Sequence, residues 1–112
     1  MYGRCSIQFV VEADGSVYPC DFYALDEWKL GDVGKTPLTE MARNPTAVRF
    51  LKESHAVPEQ CAGCRYYPLC RNGCRRDREE PDGRTWHCGA HKRFFSQREA
   101  QLIRAAQIIN RR

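Results

Sequence analysis

Four cysteines fall within fourteen residues of this chain, as Cys61-x2-Cys64-x5-Cys70-x3-Cys74. Cys5, Cys20 and Cys88 bring the total to seven in 112 residues. No other feature limits the fold as strongly. From Cys61 to Cys88 the sequence is rich in cysteine, glycine, arginine and proline and keeps neither helical nor strand periodicity. It reads as irregular loops and short turns. Such a segment buries little apolar surface and needs a staple. In an exported protein the staple would be disulfides, but here the count is odd. The start, Met1-Tyr2-Gly3-Arg4-Cys5, also lacks the apolar stretch of a signal peptide. The cytoplasm is the expected compartment, and cysteines in a reducing compartment more often bind metal or do redox chemistry. Closely spaced thiolates converge on one centre without long loop closure. Four of them suit zinc or an iron–sulfur cluster, and the count alone does not choose.

The rest of the chain supplies a modest frame. Ile7, Phe9 and Val11 alternate with Gln8 and Val10, predicting a strand over Ile7–Val11. Asp14-Gly15 is a hairpin turn signal, and Ser16-Val17-Tyr18 is the returning strand, ended by Pro19. Cys5 and Cys20 lie just outside the strand ends, so the hairpin should bring two distant thiols together. Thr36-Pro37 and Asn44-Pro45 are successive helix starts, a capping side chain followed by proline. The second helix should carry Val48, Phe50 and Leu51 to about Ser54, with Pro58 closing it. A last helix is expected over His91–Asn110, with Phe95, Leu102, Ala106 and Ile109 on one face and Ile103 beside them. That face should pack on the rest of the domain or on a partner, and an ordinary core face is the leading reading. The whole is a small, irregular α+β fold, a single domain over residues 1–112, in keeping with its length. No apolar run reaches the roughly 18–20 residues of a membrane span.

Net charge is +4, with the basic excess around Arg65, Arg71, Arg75, Arg76 and Arg78. A solvated face is the leading reading of this cluster. A second is charge balance for nearby thiolates. Nucleic-acid binding ranks last, since no recognition motif accompanies the arginines. His87 adjoins Cys88. Histidine can replace a thiolate in zinc or Rieske-type sites, and His87 could take a vacant position; the leading reading of His55, His87 and His91 is free histidines or neighbours of the ligands.

The full pattern, Cys5-x9-Gly15-x4-Cys20, then the four-cysteine array, then Cys88, resembles the seven-cysteine signature of the SPASM domain. That is the C-terminal auxiliary-cluster domain of many radical S-adenosylmethionine (SAM) enzymes. The stretch Val11-Glu12-Ala13-Asp14-Gly15-Ser16-Val17-Tyr18-Pro19-Cys20-Asp21-Phe22-Tyr23 is similar to the anaerobic sulfatase-maturating branch, as is Trp28-Lys29-Leu30-Gly31. The resemblance implies up to two [4Fe–4S] clusters with crossed ligands. Cys5, Cys20 and Cys74 would serve the first, and Cys61, Cys64, Cys70 and Cys88 the second. In that branch one more cysteine, shortly before the position of Cys5, completes the first set. Zinc in place of a cluster is the alternative, making the chain a structural or interaction module.

The same resemblance implies what the chain would work with. The family's radical-generating Cys-x3-Cys-x2-Cys motif, carried on a partial α/β barrel, does not occur in this sequence. The expectation is therefore a detached cluster domain, not an enzyme by itself. Its partners would be a radical SAM barrel or a sulfatase-type protein substrate, with no membrane and no nucleic acid. Asp21 occupies the position of the family's proposed catalytic base, by resemblance only; a polar turn residue after Pro19-Cys20 is the plainer reading.

Overall fold

The computed structural model describes residues 2–78 and 82–111. Near the N-terminus, β1 (Val10–Val11), β2 (Ser16–Tyr18) and β3 (Gly31–Asp32) form an antiparallel sheet in the order β1-β2-β3. Val10 pairs with Tyr18 and Val11 with Val17, while Ser16 and Val17 pair with Asp32 and Gly31. The Asp14-Gly15 turn forms as its residue types require. The Asp14 carboxylate accepts the Ser16 N–H at 2.9 Å, and Gly15 takes φ 88°, a conformation costly for side chains with a Cβ.

The strand expected over Ile7–Val11 is shorter than its alternation implied. Phe9 sits at φ 53°, which interrupts the extended run, although the Gln8 N–H still donates to the Pro19 carbonyl at 2.8 Å. That bond keeps the segment leading back to Cys5 alongside the segment entering Cys20. β3 was not anticipated, because a two-residue Gly-Asp strand has no periodicity to read.

Among the described residues five α-helices follow: α1 (Leu38–Met41), α2 (Pro45–Ser54), α3 (Glu59–Ala62), α4 (Tyr67–Cys70) and α5 (Cys88–Asn110). Asn44 caps α2 by accepting the Ala47 N–H at 2.8 Å, with Pro45 at the first position. One apolar cluster joins Val17, Leu30, Met41 and Ala47; a second joins Tyr23, Trp28 and Phe50. Ile7 packs against both. In the second, the rings meet edge-on, with centroids 5.2 Å (Tyr23–Phe50), 5.6 Å (Trp28–Phe50) and 5.8 Å (Tyr23–Trp28) apart. Such pairs are worth about 0.5–1.5 kcal/mol each beyond area burial. Cys5 and Cys20 pack against this cluster, so the aromatic core is also a wall behind two thiols.

Two expectations need correction. The last helix starts at Cys88, not His91, and none of its residues is buried. Phe95 reaches the cysteine-rich region, but Ile103 and Ile109 are 53% and 69% exposed. A 23-residue helix extends about 35 Å, farther than so small a core can cover. The arginine cluster is also not simply a solvated face. Arg75 and Arg78 are partly buried and hydrogen-bonded to backbone carbonyls, as described below. Among the described residues no helix is long and apolar enough to cross a membrane.

Candidate metal centres

All seven cysteines are free thiols of intermediate burial. They divide between two places. Cys61, Cys64, Cys70 and Cys88 line one cavity, together with Tyr66, Asn72, Thr85 and His91. Cys5, Cys20 and Cys74 line another, with Asp21, Arg75 and Arg78.

At the cavity of four thiols, each sulfur stands at a turn or helix end. Cys61 lies in α3, and Cys64 follows it, its N–H donating to the Cys61 carbonyl at 3.1 Å. Cys70 ends α4, and Cys88 opens α5. Tyr66 stacks on Phe95 with centroids 6.0 Å apart, and Arg65 holds Glu99 through two contacts of 2.7 and 2.8 Å. These pairs join α5 to the loop of Cys64. Burial pushes the Cys61 thiol above its ordinary pKa, and the neighbouring Cys88, Cys70 and Cys64 thiols push it further.

In the cavity of three thiols, the Cys5 N–H donates to Ser54 Oγ at 3.0 Å. The Ser54 hydroxyl donates to the Leu51 carbonyl at 2.6 Å, and Ser54 is 1% exposed. Cys20 and Cys74 each precede a 3₁₀ turn, Asp21–Tyr23 and Arg75–Asp77. Burial raises the Cys5 pKa; the Ser54 hydrogen bond and the Arg75 charge oppose the rise, while Cys74 adds to it. Burial likewise raises that of Cys20, with the Phe22 N–H opposing and Asp21 and Cys5 reinforcing. Asp21 is exposed, accepts the Phe22 N–H at 3.1 Å and lies 3.3 Å from Cys20 Sγ.

The two arginines hold this second region together. Arg75 lies over the rings of Trp28 (4.8 Å), Tyr23 (5.0 Å) and Phe50 (5.2 Å). It also donates to the Phe50 carbonyl at 3.1 Å and pairs with Glu53. Arg78 donates to the carbonyls of Gly3 (2.8 Å), Ser54 (2.9 Å), Asn72 (3.2 Å) and Gly73 (3.4 Å). Sequence reasoning placed both in a basic cluster but could not see these acceptors. Ser54 and Asn72 were missed outright, because nothing local marks a serine or asparagine as structural.

Cys70 and Cys74 are four residues apart yet face different cavities. Between them Arg71, Asn72 and Gly73 all adopt positive φ, at 51°, 62° and 57°. Three left-handed residues in succession reverse the chain, and two of them pay a steric cost for it. Asn72, 2% exposed, holds the reversal in place. Its amide donates to the Gly83 carbonyl at 2.9 Å and accepts the Thr85 N–H at 2.8 Å.

The donor chemistry fits an iron–sulfur cluster: four thiols in one cavity, with hydrogen-bonding and apolar groups behind them. Among the described residues no three Cys, His, Asp or Glu side chains close on a single-ion position. A tetrahedral zinc with sulfur at about 2.3 Å would need such closure, so the zinc alternative gains no support.

Comparison with known proteins agrees. The SPASM family, described as an iron–sulfur cluster-binding domain, matches residues 4–65. The cysteine-type anaerobic sulfatase-maturating enzyme of Clostridium perfringens (strain 13 / Type A) is 41% identical over 113 aligned positions, spanning 97% of this chain and 30% of that protein. The serine-type enzyme of Bacteroides thetaiotaomicron is 27% identical over 85% of the chain and 24% of its own length. A solved structure of native anSMEcpe with bound AdoMet superposes with a TM-score of 0.90 at 41% identity, covering 96% of this chain and 30% of that one. The same protein with AdoMet and a Kp18Cys peptide gives 0.89. The chain thus spans about a third or less of the relatives it matches. It belongs to the SPASM family of iron–sulfur cluster-binding domains, on the side of the anaerobic sulfatase-maturating enzymes.

Proposed function

We propose that residues 1–112 form one domain that holds two auxiliary [4Fe–4S] clusters. Cys61, Cys64, Cys70 and Cys88 ligate the better-formed one, and Cys5, Cys20 and Cys74 supply three ligands to the other. The observation that carries this reading is that the first four thiols line one cavity while the other three line a second. A bound cluster supplies one-electron chemistry at a potential set by its surroundings. The chain's own residues orient the thiols, exclude water with the Tyr66–Phe95 stack, and place the Arg75 and Arg78 charges beside the three-cysteine site.

The domain's role is electron transfer or support of a substrate site within a sulfatase-maturase-like radical SAM protein of the cytoplasm. A radical SAM barrel and a sulfatase-type polypeptide are the corresponding partners. The relatives' names, and the Cys peptide in one solved structure, support that assignment. Asp21 stands on the rim of the three-cysteine cavity, where a base acting on a substrate side chain would be within reach. Without the barrel these residues carry no maturation chemistry.

Anaerobic reconstitution with iron and sulfide tests the reading. About four iron atoms per filled site, with the visible absorption of an iron–sulfur chromophore, are expected. A colourless protein that takes up zinc but no iron and sulfide under the same conditions would overturn it.

A further inference from the structure

The cavity of four thiols contains one imidazole. His91 lies one turn into α5 from Cys88, and its Nδ1 is 3.3 Å from Cys70 Sγ. The ring is partly buried, between His87 (5.9 Å between centroids) and Phe95 (6.3 Å). Gly73 of the reversed loop lies nearby: a Cβ added there would come within 3.9 Å of His91 Cε1. The ring is therefore placed by its own helix, between His87 and Phe95, with Nδ1 toward the Cys70 sulfur. The separation suits a hydrogen bond to sulfur, and its direction follows from chemistry. A thiolate ligand has no proton to give, so the only hydrogen available between the two atoms is the one on Nδ1. The neutral Nδ1–H tautomer and the cation both donate through that atom, so the role needs no change of charge.

Hydrogen bonds to ligand sulfurs are among the factors that set iron–sulfur potentials, because they stabilise the more negative, reduced state. We propose that His91 is a positioning residue of the four-cysteine centre, donating its Nδ1–H to Cys70 Sγ and thereby raising the reduction potential of the cluster held there. This rests on the assignment of a cluster to Cys61, Cys64, Cys70 and Cys88. His91 is not a ligand in this account, because the four thiols already complete the set.

The test is a spectroscopically monitored redox titration of the anaerobically reconstituted chain. A Cys20→Ala background removes the three-cysteine site from the signal. His91→Phe keeps an aromatic ring beside Phe95 and removes the donor; His91→Asn places an amide N–H near the position of Nδ1. The expected result is a shift of the midpoint to more negative potential in His91→Phe at unchanged iron content, and a return toward the parent value in His91→Asn. Loss of iron from His91→Phe with retention in His91→Asn also supports the donor role. An unchanged midpoint in His91→Phe, equal shifts in both variants, or loss of iron from both would overturn it, the last because the ring would then matter only for packing. A parent background that holds no iron would instead refute the cluster assignment itself.

Discussion

Replacing Asn72 with alanine should damage both cavities at once, and the cost can be worked from its contacts. The side chain is buried and makes two hydrogen bonds to backbone, one to the Gly83 carbonyl and one from the Thr85 N–H. Alanine leaves the Thr85 amide unpaired at a buried position, which costs about 1–3 kcal/mol. It also places a Cβ residue with no local hydrogen bonding at φ 62°, adding up to about 1 kcal/mol relative to asparagine. A total of about 1–4 kcal/mol is a sizeable fraction of the roughly 5–15 kcal/mol that holds a domain together. Urea unfolding of the reduced apo-chain, followed by far-UV circular dichroism, would read it. Two further variants separate the contributions. Asn72→Gly keeps the backbone freedom and loses both hydrogen bonds, so it should be about 1 kcal/mol milder than alanine. Asn72→Asp keeps the acceptor for Thr85 but buries a carboxylate with an oxygen against the Gly83 carbonyl, so at neutral pH it should be no milder than alanine. Iron uptake should drop at both sites in the alanine variant, because Asn72 sits between Cys70 and Cys74. A change in stability below about 0.5 kcal/mol, with full iron uptake, would refute the reasoning.

Cys64→Ala should lose iron from the four-cysteine site and retain that of the other site, and metal analysis after reconstitution should show the difference. The variant should also unfold more readily when reconstituted, since metal-binding energy is folding energy in small sites. Arg75→Met removes the bond to the Phe50 carbonyl and the charge above three rings, a loss of about 1–3 kcal/mol; Arg75→Lys should recover part of it in thermal unfolding. The reduced apo-chain should weaken as pH rises above about 8.5. Burial raises the folded-state pKa of Cys5, Cys20 and Cys61, so the folded chain keeps protons that the unfolded chain gives up. A melting temperature that rises between pH 7 and 10 would contradict that assignment.

The parts of the fold that could be read from sequence are those fixed by neighbours in the chain. Asp14-Gly15 dictates its own turn, and Asn44-Pro45 carries both the cap and the first helical residue of α2. Phe9 was misread because alternation counts side chains and cannot detect a left-handed backbone. The helix from Cys88 was foreseen in type, but its apolar positions were assigned a core that is not there. Periodicity reports which face is apolar; it does not report whether anything covers that face. The cysteine spacings flagged thiol chemistry at once, yet the grouping of Cys74 with Cys5 and Cys20 came only from resemblance. Nothing in a Cys-x3-Cys spacing says that its two members face apart.

What separates them is mechanical. A regular helix through Cys70 to Cys74 would set the two thiols one turn apart on one face. The left-handed run Arg71-Asn72-Gly73 spends backbone strain to prevent it, and Asn72 and Arg78 recover that strain in hydrogen bonds to four different segments. One of those bonds reaches the Gly3 carbonyl, two residues before Cys5, and another the Ser54 carbonyl, whose hydroxyl holds the Cys5 N–H. The residues that shape one cavity therefore tie down the other. A disturbance of the loop after Cys70 should therefore reach Cys5 through Arg78. Two centres separated in this way can differ in chemistry while sharing one stability, which is why the hinge between them, rather than either cavity, is where a single substitution should cost the most.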